Sequence, residues 1–506
     1  MRENFDPTDL SKVGMCGSLS PQRAQFRYAL RYFFYAVVLC AFIPFSWAAD
    51  SRSVQDPPTQ PQKDAEKLPK GLSDSPVLNS RFLLFGSKTL RRQTLRWARR
   101  RGDTDMIAAL IYTLRYLKPE DRREVVTVLR RLSGKSIGDD WFRWMQWQQQ
   151  TPAIRPFPHF DLFLSALFKS IDPGFTDFIY PNVDHSIRLE EIVWGGGRSK
   201  DEGIPPIDHP TLITAANADY LSDEELVFGV QIGEDVRAYP YRIMDWHEML
   251  NDVVGGVPVT LAYCTLCGSG ILFDTRVAER AAPFEFGSSG LLYRSNKLMF
   301  DRATNSLWNQ FTGKPVVGKL TRSGIELKTL PLVTSSWGDW KTAHPDTKVL
   351  SLDTGFVRDY RPGKPYGRYF ASPKLEFPAA KTDTRLAQKD QVFALRITGA
   401  EKAWPLDLFK GGAVINDRVG ALPLVLVGDA ATSSVRAYRG NGAEFARSDQ
   451  ATDLRTIRSA AGKWHVREDA LHGPAGERLT RLPGHIAYWF AWSTYLTDAP
   501  VALPKR

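Results

Sequence analysis

The sequence predicts an α+β protein: two tandem copies of a β-rich unit with short helices, preceded by a small all-helical region. Three observations lead there. Residues 227–264 align without gaps on residues 392–429, and a second block further on repeats in the same order. Short apolar runs bounded by Gly, Pro, Asn and Asp fill both blocks, as strands and turns do. Residues 80–150 instead carry apolar side chains at helical spacing. A chain of 506 residues is too long for one typical core, so several domains are expected.

The composition is that of a globular protein, with 43% hydrophobic and 24% charged residues. The net charge of +10 is spread along the chain and concentrates on no recognisable nucleic-acid module, so no nucleic-acid partner is expected. The 14 Trp are read as packing residues of a β-rich fold.

Residues 1–49 read as a signal peptide or an N-terminal anchor. Arg23, Arg27 and Arg31 precede an almost wholly apolar run over 32–45, and Ser46-Trp47-Ala48 offers small residues where a signal peptidase reads. Leu39 before Cys40 argues against a lipoprotein signal. The rest of the chain is then expected to be exported, periplasmic or held facing the periplasm, and to meet a membrane only if this segment is uncleaved. Residues 50–79, rich in Pro, Gln, Asp, Lys and Ser, read as a linker without fixed structure.

Helices are expected over 81–101, 104–117 and 119–132, in the manner of a HEAT pair. Ile107, Leu110, Ile111 and Leu114 share one face, as do Val125, Val128, Leu129 and Leu132. This region is the expected docking surface for an envelope partner. Trp141, Trp144 and Trp147 are expected to form one apolar face, and residues 151–226 are expected to be loop-rich.

The repeat pairs residues 187–390, the first copy, with 391–503. Ala238-Tyr239-Pro240 matches Ala403-Trp404-Pro405, Asn251-Asp252 matches Asn416-Asp417, Trp337 matches Trp489 and Trp340 matches Trp492. Each copy reads as two strands, a helix opened by Pro (241–250 in the first), a turn at 251–256, a further strand at 257–263 and a closing Trp helix. What the copies share is Pro, Gly, Trp and apolar positions, which a fold needs. His247, Cys264 and Cys267 occur in the first copy alone, where Gly412, Asp429 and Thr432 replace them. Chemistry is therefore expected in the first copy.

The run Ile192-Val193-Trp194-Gly195-Gly196, then Arg237-Ala238-Tyr239-Pro240, His247-Glu248-Met249-Leu250-Asn251-Asp252, Tyr263-Cys264-Thr265-Leu266-Cys267-Gly268-Ser269-Gly270 and Asp301-Arg302-Ala303-Thr304-Asn305-Ser306-Leu307-Trp308 resembles the DUF3179 family of often exported prokaryotic proteins. The family commonly has Pro after the first Cys, where this chain has Thr265. The resemblance implies one shared domain and supplies no substrate or reaction.

Three readings of the cysteine pair stand side by side. A Cys-x-x-Cys-Gly turn between strands can hold a transition metal, zinc or copper, with His247 as third ligand and His344, Asp301 or Met299 as weaker candidates. The same spacing serves thiol redox exchange, although no helix follows the motif as in thioredoxin-like sites. In the third reading the cysteines only brace a turn, and the protein is a non-catalytic envelope binding or scaffold module. His247 can equally be a satisfied core histidine. No nucleophile elbow, paired metal histidines or dinucleotide fingerprint occurs.

Overall fold

A computed structural model describes residues 71–278, 280–380, 383–448, 453–496 and 500–503. The expected export segment with Cys16 and Cys40, and most of the expected linker, lie outside the described residues. The chain divides into two compact units between Leu72 and Ser73, and the second unit holds all the described helices and strands. That unit is α+β and mostly β, with ten helices and five sheets among the described residues. None of those helices is long and apolar enough to cross a membrane.

Helices occupy the chain from Pro76 to Ile171. The single helix expected over 81–101 is two, Pro76–Phe85 and Lys88–Arg101. The break is local: Gly86 turns the backbone extended, and the Ser87 side chain caps the next helix by accepting from the Leu90 N–H. Gly102 and Gly134, both left-handed, end Lys88–Arg101 and Pro119–Ser133. Ile107–Tyr116 is buried along nearly its whole length, so it is the core helix of this region. The stretch expected to be loop-rich contains a further helix, Phe160–Ile171, whose buried Phe160, Phe163, Leu164, Leu167 and Phe168 follow helical spacing. Arg91, Arg92 and Arg101 of the basic helix are tied to Asp121, Glu124 and Asp105.

Polar side chains join this region to the strands. Arg115 donates to the Trp194 carbonyl at 2.8 Å and lies 4.5 Å over the Trp141 ring. Gln148 donates to the Glu190 carbonyl at 2.6 Å, and Gln146 to the Ala379 carbonyl at 2.8 Å. Of the three tryptophans expected on one face, Trp144 is wholly buried and meets Trp147 edge-on, whereas Trp141 and Trp147 are half-buried.

Two sheets hold an apolar cluster between them. One contains the hairpin Leu226–Ile232 with Asp235–Pro240. The other contains Met249–Val254, Val257–Cys264 and Ser269–Asp274. Phe228, Tyr239, Ile243, Leu250, Leu261 and Leu272 meet in the cluster. The turn expected at 251–256 is mostly strand: Met249–Val254 pairs along its length, and the turn is only Gly255-Gly256. Both glycines have positive φ, as a tight hairpin of this twist requires.

The strands beyond residue 390 pair in matching fashion. Val227 faces Pro240 and Val392 faces Pro405, Asn251 faces Thr260 and Asn416 faces Val425, and Cys264 faces Ser269 as Asp429 faces Ser434. Asn251 clamps the backbone of Phe286 through both amide atoms, and Asn416 does the same to Phe445. Tyr239 donates to Asp252, and Trp404 to Asp417. The Asn-Asp pairs thus hold strands in register.

Candidate functional site: a buried dithiol turn

Val257–Cys264 ends in a 3-10 turn, Thr265–Cys267, and the chain returns as Ser269–Asp274. Gly268 sits at φ 58°, left-handed, with the Tyr488 ring so close that a Cβ would lie 3.1 Å from it. A Cβ on Gly270 would fall 2.3 Å from the Phe228 ring. These glycines let aromatic rings close over the turn.

The two sulfurs lie 2.8 Å apart and are buried. Asn296 Nδ2 donates to Cys267 Sγ at 3.2 Å and to Gln310 Oε1 at 2.8 Å. Gln310 in turn donates to the carbonyls of Ala262 and Ser269, both at 2.8 Å, one on each strand of the hairpin. On the other side, Lys297 Nζ is 2.7 Å from Glu248 Oε2, with both side chains almost wholly buried. Thr265 donates to Glu248 Oε1 at 3.0 Å, and Tyr366 to the same oxygen at 3.2 Å. Glu248 follows the helix Tyr241–His247 at φ 57°, a strained value for a side-chain-bearing residue that aims its carboxylate at the turn.

These neighbours make the two thiols unequal. Burial opposes ionisation of Cys264, but a hydrogen bond from Cys267, the backbone N–H of Lys297 and the Lys297 ammonium outweigh it. The Cys264 thiol therefore lies below its ordinary value, with Glu248 acting against the shift. Burial pushes Cys267 well up, and the adjacent Cys264 adds to that. Of the two, Cys264 is the thiol whose ionisation these surroundings favour. Nearby, burial pushes the Asp245 carboxyl up to about 8, so it is largely neutral at pH 7.

Of the residues proposed as metal ligands, the structure brings Cys264 and Cys267 together. It turns His247 elsewhere. His247 Nδ1 donates to the Pro205 carbonyl at 2.8 Å, and the Tyr360 hydroxyl donates to Nε2 at 2.6 Å. Asp301 accepts from the Thr304 backbone and hydroxyl and from Trp308 Nε1, which makes it the clamp of its own turn. Met299 is buried on the strand Asn296–Asp301, paired with Trp308 and Ser288. His344 lies against Trp340 at the end of the helix Trp337–Ala343. Among the described residues no group of three or more His, Cys, Asp or Glu is placed to hold a metal ion. The two thiols alone offer a zinc ion half of a tetrahedral set.

Glu248, Lys297, Asn296 and Gln310 were not legible as site residues. For Glu248 a signal existed: Ala413 stands at its position in the second half of the chain.

The neutral state of His247 has a measurable consequence. Burial holds its pKa down at about 4, against an unfolded value of about 6.5. Between those values the unfolded chain binds the extra proton, so this stability is complete above about pH 6.5 and lost as pH falls toward 4. Urea midpoints from pH 7.5 to 4.5 for wild type and His247→Gln measure it. The wild type is expected to lose more stability on acidification than the variant. Parallel curves would show that His247 carries no such linkage.

The fold and site together define a mostly β α+β protein built around a buried dithiol turn. The chain belongs to the family described as "Protein of unknown function (DUF3179)", whose model matches residues 201–499. The helices from Pro76 to Ile171 lie outside that match. Comparison with curated proteins and with solved structures finds no match.

Proposed function

We propose that the protein is a thiol redox protein of the cell envelope, with Cys264 as attacking thiolate and Cys267 as resolving thiol. We also infer that residues 187–390 and 391–503 are two copies of one unit, from the matching pairings and the matching Asn-Asp clamps.

One observation carries the redox reading. The second half makes the same turn without cysteines. Ser433 takes φ 52° where Gly268 takes 58°, and the Ser433 N–H bonds the Ala430 carbonyl as the Gly268 N–H bonds that of Thr265. Asp429 and Thr432 occupy the two cysteine positions. A turn that forms without thiols does not need them as a brace, so their presence in the first half supports a chemical role. The inequality of the thiols and the other engagements of His247 favour dithiol exchange over metal binding.

In the proposed reaction the Cys264 thiolate attacks one sulfur of a substrate disulfide. A Cys264–substrate S–S bond forms, the substrate S–S bond breaks, and the departing thiolate takes the proton released by Cys267. The Cys267 thiolate then attacks Cys264 Sγ, and the second substrate thiolate leaves. Two electrons pass from the dithiol to the substrate. The envelope location rests on the export segment read in residues 1–49.

The test is a redox titration of the purified protein against glutathione buffers, with a free-thiol count and elemental analysis. The expected result is reversible passage between two free thiols and none. About one equivalent of zinc or copper, lost in Cys264→Ser, would replace this reading with metal binding.

A further inference from the structure

The part of the second half that corresponds to the cysteine turn is open. A cavity of about 540 Å³ lies there, within the range of small-molecule sites. Asp429 and Thr432, the counterparts of Cys264 and Cys267, line it, with Ser434 and Arg436 on the returning strand. Its opposite wall comes from the first half: Ser335, Asp339 and Thr342, with His344 at the helix end.

Four arginines and four carboxylates line this cavity, and they are not all paired with one another. Arg436 gives two N–H groups to Glu468 Oε1, at 2.7 and 2.6 Å. Arg481 approaches the other oxygen of the same carboxylate at 3.8 Å and leaves Nε and Nη1 buried without a partner. Two guanidinium groups thus share one carboxylate, Arg436 and Glu468 in the lining and Arg481 outside it, and a buried surplus of positive charge is costly unless an anion meets it. Arg455 and Arg467 also line the cavity; Arg455 approaches Asp453 of the same lining at 3.6 Å, and Arg467 has no carboxylate ion-pair partner among the described residues. Asp339 and Asp429 likewise have no Lys or Arg ion-pair partner there, which leaves two acceptors facing the same space.

We propose that this cleft is a second site, which binds a small hydroxylated anion: a carboxylate or phosphate on Arg436, Arg455 and Arg467, and hydroxyl groups on Asp339 and Asp429. Planar guanidinium groups suit either anion through paired hydrogen bonds. Asp339 on the opposite wall suits hydroxyl donors, as does the Asp429 oxygen that the Ala431 N–H does not occupy. The repeat reading indicates only where to look, and the cleft does not depend on the redox proposal.

The experiment is isothermal titration calorimetry of the full chain with galacturonate, glucose 6-phosphate and neutral galactose. At least one of the two anions is expected to bind, and galactose not. The better of the two anions identifies the headgroup as carboxylate or phosphate. Arg455→Gln/Arg467→Gln, at an unchanged melting temperature, is expected to weaken binding by about tenfold or more, as the loss of a charge-assisted contact does. Cys264→Ser, in the other half, is expected to bind as wild type does, whatever its redox behaviour. No heat with either anion, equal binding of galactose, unaltered binding by the double variant, or loss of binding in Cys264→Ser would each overturn the assignment.

Discussion

Cys264→Ser is expected to abolish attack on disulfides, while Cys267→Ser keeps the first step and stalls after it. The two sulfurs are neighbours in the same buried turn, so access alone does not distinguish them. Their surroundings do. Cys264 is lowered by its partner thiol and by Lys297, and Cys267 is raised by burial and by the anion beside it. The thiolate is the nucleophile, so near neutral pH the first attack falls to Cys264. With a small aromatic disulfide, Cys264→Ser is expected to react at least ~100-fold more slowly than wild type, from loss of the thiolate. Cys267→Ser has no resolving thiol and should accumulate a stable mixed disulfide on Cys264, visible as an added mass on that peptide. Adduct on Cys267 with Cys264 silent would reverse the assignment. Equal inertness of both variants would point back to a structural or metal-bound pair.

Lys297→Met carries the second large effect, on stability and on the thiol together. Lys297 and Glu248 form an ion pair in the core, 2.7 Å apart and almost wholly out of water. Removing one member of such a pair strands the other, at a cost of about 3–5 kcal/mol. Urea unfolding should show that loss. The double variant Glu248→Gln/Lys297→Met should recover part of it, because no charge is then stranded. Lys297 also favours the Cys264 thiolate, so the thiol pKa of Lys297→Met should rise, read from thiolate absorbance across pH. A stability loss with no change in the thiol would confine Lys297 to packing. Unchanged stability would mean that Glu248 finds another partner, for which Thr265 and Tyr366 are already in place.

The local features of this chain are legible because they follow from short-range rules. Gly255-Gly256 and the apolar run over 257–263 after it mark the hairpin that joins Met249–Val254 to Val257–Cys264, although Asn251 and Asp252 make its first strand read as part of the turn. That difference has a physical source. Asn251 and Asp252 carry turn-forming side chains, yet here those side chains hold neighbouring strands, and tertiary partners outweigh propensity. The helix Phe160–Ile171 is legible too, since its five buried apolar residues are spaced for it, but the Pro- and Gly-rich stretches around it mask the pattern.

The sequence by itself determined the position of the dithiol turn, its two thiols, and the absence of those thiols from the matching stretch of the second half. The tertiary structure alone decided which partners each group meets. Strand register places Asn296 and Lys297 beside sulfurs that lie some thirty residues earlier in the chain. A left-handed residue after a short helix swings Glu248 toward the turn, while the preceding His247 faces Pro205 and Tyr360. Residue spacing carries the period of a helix or strand. It carries nothing about which buried side chain satisfies which, because those pairings are settled by packing between elements far apart in the chain.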